Sequence, residues 1–339
     1  MNHATTRTLK RLLFSFVFCF ALSALAPAEA ATTLRFAGQL PEDHPATALM
    51  NNIAKDIAEK TEGRVEVKVY PASQLGDYTL VHQELVRGTI DMALISTPAD
   101  LDPRLSFVYI NGYCPTYDRL EETFQPGSWT WNKMEELNGN LGIKFLGFNI
   151  EGFMGVGSTK PLHEPLIPEV DKGVRCRIPN MSAFRVGATA MGFRAVPLPY
   201  ANLRTALQDG GEADAFTGLP PATAYTMLKD VIKFWHQYGQ SIESQSYLMS
   251  MKTWEKLSPD DRRVVFEAVA KARTTNLSTV RQEDEKYLQL MREAGIHVMT
   301  YTDAQLRPMR NATVAEWGKL ADTMTKPFMD EFIEALAPR

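Results

Sequence analysis

Of 339 residues, 36 are Lys or Arg and 40 are Asp or Glu, a formal charge of −4 with 45% hydrophobic residues and three cysteines. This balance offers no basic footprint for nucleic acid and too few cysteines for a disulfide scaffold. The length exceeds what one hydrophobic core usually fills, so two lobes are expected.

Residues 1–30 read as an export signal. Arg7, Lys10 and Arg11 precede an apolar run from Leu12 to Ala26, and Ala28-Glu29-Ala30 places small residues around a cleavage point after Ala30. The run is shorter than the roughly 20 residues of a membrane span. Phe20 after Cys19 does not fit a lipoprotein cleavage site. Removing this segment takes away three basic residues and one acidic residue, leaving a charge of −6 and an exported, periplasmic chain. Cys114 and Cys176 remain, and their pairing is left open.

Seven short β-rich runs follow: Thr33–Gln39, Val65–Pro71, Asp91–Ser96, Ile143–Asn149, Val174–Pro179, Ala195–Pro199 and Asp214–Thr217. Between the first two, Met50, Ile53, Ala54 and Ile57 fall on one helical face, started by Asp43-His44-Pro45 and stopped by Gly63. Residues 180–191 and 200–208 read as further helices. The alternation predicts α/β sheets with helices on both faces. Ligands in such sheets bind at the carboxyl ends of strands, which brings Gln39 and Thr97 into the candidate set. Near the end, Ser258-Pro259-Asp260-Asp261 opens a helix whose periodicity lasts to Gly295. At 1.5 Å per residue that helix is roughly 54 Å long, enough to cross two lobes, with a kink expected near Thr274–Ser278.

The five histidines after residue 30 are isolated, and neither a C-x-x-C nor an H-E-x-x-H pair occurs. There is no G-x-S-x-G elbow and no phosphate-binding loop. No catalytic residue, metal or cofactor is therefore assigned. The informative strand is Val174-Arg175-Cys176-Arg177-Ile178-Pro179. Its alternation buries Val174, Cys176 and Ile178 and aims both arginines the other way. Arg177, at the strand end, can offer a carboxylate two parallel hydrogen bonds. Phe153, Tyr200 and Phe216 near other strand ends are candidate apolar walls. Glu151 reads most simply as a solvated loop acid.

The order of motifs resembles the solute-binding proteins of tripartite ATP-independent periplasmic (TRAP) transporters. The landmarks are Leu40-Pro41-Glu42-Asp43-His44-Pro45, Gly63-Arg64-Val65-Glu66-Val67, Ser73-Gln74-Leu75-Gly76 and Gly88-Thr89-Ile90-Asp91-Met92-Ala93. Lys172–Pro179 and Val196-Pro197-Leu198-Pro199-Tyr200 continue the series. The resemblance implies a periplasmic binding protein-like fold of two α/β lobes around a ligand cleft, with the long helix spanning both. It implies that Arg177 clamps a ligand carboxylate, that Tyr200 packs on the ligand, and that a separate membrane permease receives it.

Two departures bear on the ligand. Where dicarboxylate and sialate binders continue with G-Q-E-N, this chain has Ala215-Phe216-Thr217-Gly218, exchanging an amide for an aromatic ring and a hydroxyl. Where many members carry N-G-F-R, it has Glu151-Gly152-Phe153-Met154, with an acid and no arginine. One cation fewer weakens the case for a doubly charged ligand, since an unpaired buried carboxylate is costly. A monocarboxylate, hydroxy or keto acid, or sulfonate fits, and an amino group too if Glu151 faces the cleft. The expected organisation is lobe I over 31–152 with 243–275 returning to it, and lobe II over 153–242 with 276–339 contributing. Hinges are expected near 150–155 and 240–245. The reading is a monomeric, non-enzymatic transport protein; a secreted enzyme acting on an organic acid and a receptor presenting its ligand to a membrane sensor are the alternatives.

Overall fold

The computed structural model describes residues 31–208 and 211–337, so the proposed signal segment lies outside the described residues. Eleven strands are present among them. β1 (Thr32–Gly38), β2 (Val65–Tyr70), β3 (Met92–Ile95), β4 (Ile143–Phe153) and β10 (Ile242–Ser250) form one sheet in the order β2-β1-β3-β10-β4. β5 (Gly155–Ser158), β6 (Arg175–Ile178), β7 (Arg194–Pro197), β8 (Ala215–Leu219), β9 (Phe234–Gln237) and β11 (His297–Thr300) form the other, in the order β11-β9-β5-β8-β6-β7. Both sheets are mixed. In the first, β10 runs antiparallel to β3 and β4; in the second, β5 runs antiparallel to β8 and β9. The chain crosses between sheets at Met154, again over 238–241, and a third time along the helix of residues 259–293.

The principal helices are α1 (Pro45–Lys60), α2 (Tyr78–Arg87), α3 (Trp129–Asn140), α4 (Ser182–Ala190), α5 (Pro221–Leu228), α6 (Pro259–Glu293), α7 (Asp303–Ala315) and α8 (Lys326–Leu336). α1 begins as its sequence predicts. His44 caps it by accepting from Ala46 N–H at Nδ1 (3.2 Å), and Pro45 occupies the first turn, where its missing N–H costs nothing.

α6 is one unbroken helix of 35 residues, about 52 Å long. Its first half buries Val264, Val265, Val269 and Ala272 in the core under the first sheet, with Leu34, Phe36, Met50 and Ile53. Its last turns bury Leu288 and Met291 against Phe216 and Trp235 of the second. Ser258 starts it by accepting from Asp261 N–H (3.1 Å). Where the kink is expected, the hydroxyls of Thr274, Thr275 and Thr279 donate to carbonyls one turn back, an arrangement that favours bending, and the helix runs on without a break.

The C-terminal segment divides its contacts. α7 packs on α4, beside the second sheet. α8 inserts Phe332 between Phe107, Tyr113 and Trp129, in the stretch linking β3 to β4 of the first. Residues 276–339 thus contribute contacts to both lobes. Cys114 and Cys176 are both buried free thiols.

Candidate ligand-binding site

β6 places Arg177 one residue before its C-terminal end, as alternation predicts, but the two arginines part ways. Arg175 is exposed at the strand start and pairs with Asp214 (3.1 Å), which also takes Lys160 (2.9 Å). Arg177 is only 1% exposed and turns into a small cavity between the sheets. Its Nε–H donates to Leu198 O (3.0 Å), and among the described residues it meets no carboxylate. Burial lowers its pKa to about 10, so the guanidinium stays charged at neutral pH. The strand is braced behind by Lys172, whose buried ammonium donates to the carbonyls of Glu164 (3.0 Å), Val170 (2.9 Å) and Ile167.

The cavity is about 30 Å³, room for roughly two waters at 10–15 Å³ each. The first-sheet lobe contributes Gln39, Ser96 and Tyr109, and the second contributes Arg177, Tyr200 and Gly218. Tyr78, Met181 and Tyr200 also face a larger groove of about 580 Å³ that leads outward. Residues from both lobes thus line one small inner space.

Two acids face the same cavity. Glu151 is not a solvated loop acid: it lies on β4 and is 7% exposed, while Glu243 on β10 is 5% exposed. Their shared orientation comes from a bulge. Gly152 pairs with Glu243 and Ile150 with Ser244, so Glu151 is the extra residue, and the ladder irregularity re-aims its side chain. Each acid ends an oriented chain of donors. His44 Nδ1 accepts a hydrogen bond from Ala46 N–H, which leaves Nε2–H to donate to Thr223 Oγ1 (3.2 Å), and Thr223 donates to Glu151 Oε2 (2.6 Å). In the second chain Gln39 Nε2–H donates to Ser96 Oγ (2.8 Å), which donates to Glu243 Oε1 (2.8 Å). Glu151 Oε1 is buried with no donor. Burial pushes both carboxyls above their ordinary range, Glu243 the more strongly; the charge of Asp284 adds to it at Glu151, and that of Glu151 adds to it at Glu243.

The strand carrying Glu151 is laid along α6. Asn276 accepts from Ile150 N–H (2.7 Å) and donates to Ile150 O (2.8 Å); Asp284, 1% exposed, accepts from Phe153 N–H (3.0 Å) and from Tyr117 O–H. Gly152 lies between these attachments with φ 141°, and a Cβ there would meet Asp284 Oδ1 at 2.2 Å, so only glycine fits.

Of the sequence-derived site residues, Arg177, Tyr200, Gly218, Glu151 and Gln39 line the cavity. Four others stand away from it. Phe216 is level with Arg177 in the β6–β8 register but is fully buried, its ring against Trp235 and the backbone of Gly157. Thr217 donates to Gly155 O (3.1 Å) across β5 and β8. Phe153 packs edge-on against Tyr117, with centroids 4.7 Å apart. Thr97 sits one layer back, its N–H donating to Tyr109 O–H (2.7 Å). The aromatic and apolar wall comes instead from Phe184, Met181 and Leu219. Sequence reasoning missed Glu243, although it is the lone charge of a nine-residue strand. It also missed Ser96, one residue from Thr97 at the same strand end.

Comparison with known proteins settles the family. The family described as bacterial extracellular solute-binding protein, family 7, matches residues 36–323. This chain belongs to that family, the TRAP solute-binding proteins. It is 24% identical over 315 residues to a sialic acid-binding periplasmic protein of Vibrio cholerae, covering 91% of this chain and 95% of the relative. A Haemophilus influenzae TRAP periplasmic solute-binding protein with bound L-gulonate superposes with a TM-score of 0.80 at 21% identity, covering 90% of this chain and 99% of the other. One from Desulfovibrio desulfuricans with bound sn-glycerol-3-phosphate gives 0.80 at 22% identity, covering 91% and 98%. The family consists of periplasmic proteins that bind small organic ligands and work with membrane permease components. No helix among the described residues is long and apolar enough to cross a membrane.

Proposed function

We propose that this solute-binding protein captures a small organic anion with Arg177 and passes it unchanged to TRAP permease subunits. The observation that carries the reading is a charged guanidinium, 1% exposed, with no counter-ion among the described residues and its free face toward an inter-lobe cavity. Leaving such a charge unpaired is costly, and a carboxylate or sulfonate supplies two parallel charge-assisted hydrogen bonds. The ligands of the relatives described above, sialic acid, L-gulonate and sn-glycerol-3-phosphate, are all organic anions. Because both lobes line the cavity, a ligand touching both binds the closed form better and shifts the equilibrium toward it. Two acids in the same cavity weigh against a second anionic group, which supports a monoanion over a dicarboxylate.

The test begins with thermal-shift screening of hydroxy acids, keto acids, aldonates, sulfonates, amino acids and dicarboxylates. A ligand at 100 times its Kd adds about 2.7 kcal/mol of stability. Arg177→Ala is then expected to bind the best hit at least about 30-fold more weakly, because one partner of a buried charge pair is gone. A folded variant that binds as tightly as wild type would overturn the assignment.

A further inference from the structure

The two ends of the cavity carry opposite chemistry. Arg177 donates to Leu198 O and makes no ion pair with either acid, whereas Glu151 and Glu243 accept from Thr223 and Ser96. The acids are thus not the internal counter-ions of the arginine. They form a separate pole, made of the two strands that link the lobes.

The hydrogen bonds around this pole point one way. Thr223 and Ser96 each direct a hydroxyl proton at a carboxyl oxygen, and each is held in that sense by a donor behind it, His44 or Gln39. Donors aimed at a carboxyl favour its ionised form. Glu151 Oε1 still lacks any donor. Burial opposes that ionisation and keeps a proton on the pair, so the two acids together hold one negative charge, and no lysine or arginine among the described residues pairs with either.

We infer that Glu151 and Glu243 form an ammonium subsite, and that the ligand is a zwitterion with its carboxylate on Arg177 and its ammonium between the two acids. This rests on the Arg177 reading for the anionic end. Charge counting separates the alternatives. With one proton shared by the acids, the cavity contains one positive and one negative charge, and a zwitterion matches each. A plain monocarboxylate leaves an acid unpaired unless both acids are protonated. A dicarboxylate adds a third negative group to a site with one cation, the costliest arrangement.

The experiment compares three sets of compounds of matched chain length by titration calorimetry. These are amino acids with the ammonium at positions from α to ω, their des-amino acids, and the corresponding dicarboxylates. At least one amino acid is expected to bind ten-fold or more tightly than both of its matched partners. Glu243→Gln and Glu151→Gln, which keep side-chain size and relieve a buried charge, are each expected to weaken that amino acid at least ten-fold. Neither is expected to weaken the des-amino acid.

A zwitterion that meets the singly protonated pair leaves the proton count unchanged, so binding heats near pH 7 are expected to be independent of the buffer. The titratable groups that face the pair are Tyr78, Tyr109, Tyr200 and Arg177 in the cavity, His44 through Thr223, and Asp284 behind Glu151. The inference is overturned if no amino acid binds, if a des-amino acid or dicarboxylate binds best, or if both Gln variants keep wild-type affinity for the amino acid. Arg177→Ala separates the two claims. Retained affinity there with loss in Glu243→Gln would overturn the anion clamp and leave the ammonium subsite standing; the reverse pattern would overturn the subsite alone.

Discussion

The arginine end and the acid end of the cavity are built by opposite strategies. Arg177 comes from one four-residue strand, and the elements that hold it, Lys172 behind and Leu198 beside, lie within about two dozen residues of it. The acid end joins Glu151 and Glu243, which are far apart in sequence, through a bulge between adjacent strands, and each acid is held by a residue from a further element. A local device survives changes elsewhere in the chain, whereas an assembled one depends on every element that meets there. On the proposed reading, the sturdier end recognises the anionic group and the more adjustable end discriminates among ligands.

Three substitutions would break or sharpen this contrast. At the arginine end, Phe216→Ala is expected to lower stability by about 3–5 kcal/mol in denaturant unfolding, since a filled core position is emptied. Ligand affinity of the folded fraction should stay within about three-fold, because Phe216 does not reach the cavity. A large loss of affinity at unchanged stability would return Phe216 to the binding surface.

At the acid end, Asp284 provides a pH signature. Burial raises its pKa from 3.8 to about 7, so the folded protein keeps a proton that the unfolded chain gives up. That contribution is full below about pH 4 and is lost as pH rises toward 7, a decline of roughly 3–4 kcal/mol. Asp284→Asn is expected to flatten the unfolding-against-pH curve over this window while still accepting from Phe153 N–H. An unchanged slope would show that Asp284 does not titrate there. The smallest effect is expected of Thr223→Val, which interrupts the chain from His44 to Glu151 and should cost about 1–2 kcal/mol in thermal unfolding. No change in stability would mean that the chain does not form.

The parts of the molecule legible in the sequence were those governed by short-range rules. Alternation gave β6 and the position of Arg177, the Ser258-Pro259 start gave α6, and the strand-end rule gave Gln39. Glu151 was misread because the bulge that turns it inward is a property of pairing with β10, a strand the pattern Ile242–Ser250 does not announce. Phe216 was misplaced for a related reason. Its register beside Arg177 was right, but whether a residue on that face reaches the cavity depends on Trp235, which arrives from a different strand and covers it. Thr97 and Ser96 show the remaining limit: the strand-end rule locates a neighbourhood, and one residue of offset decides between cavity and second layer.

The attachment of β4 to α6 has a mechanical consequence. Asn276 and Asp284 are eight residues apart on the helix, about 12 Å, and Ile150 and Phe153 are three apart on the strand, about 10 Å, so the spacings match. The helix therefore splints the strand up to Phe153, and we propose that Met154 and residues 238–241, the next stretches free of these attachments, are where the lobes would pivot. Exchanges at Met154 or Ser241, which touch each other and not the cavity, would tune how far the jaws open without altering what they grip.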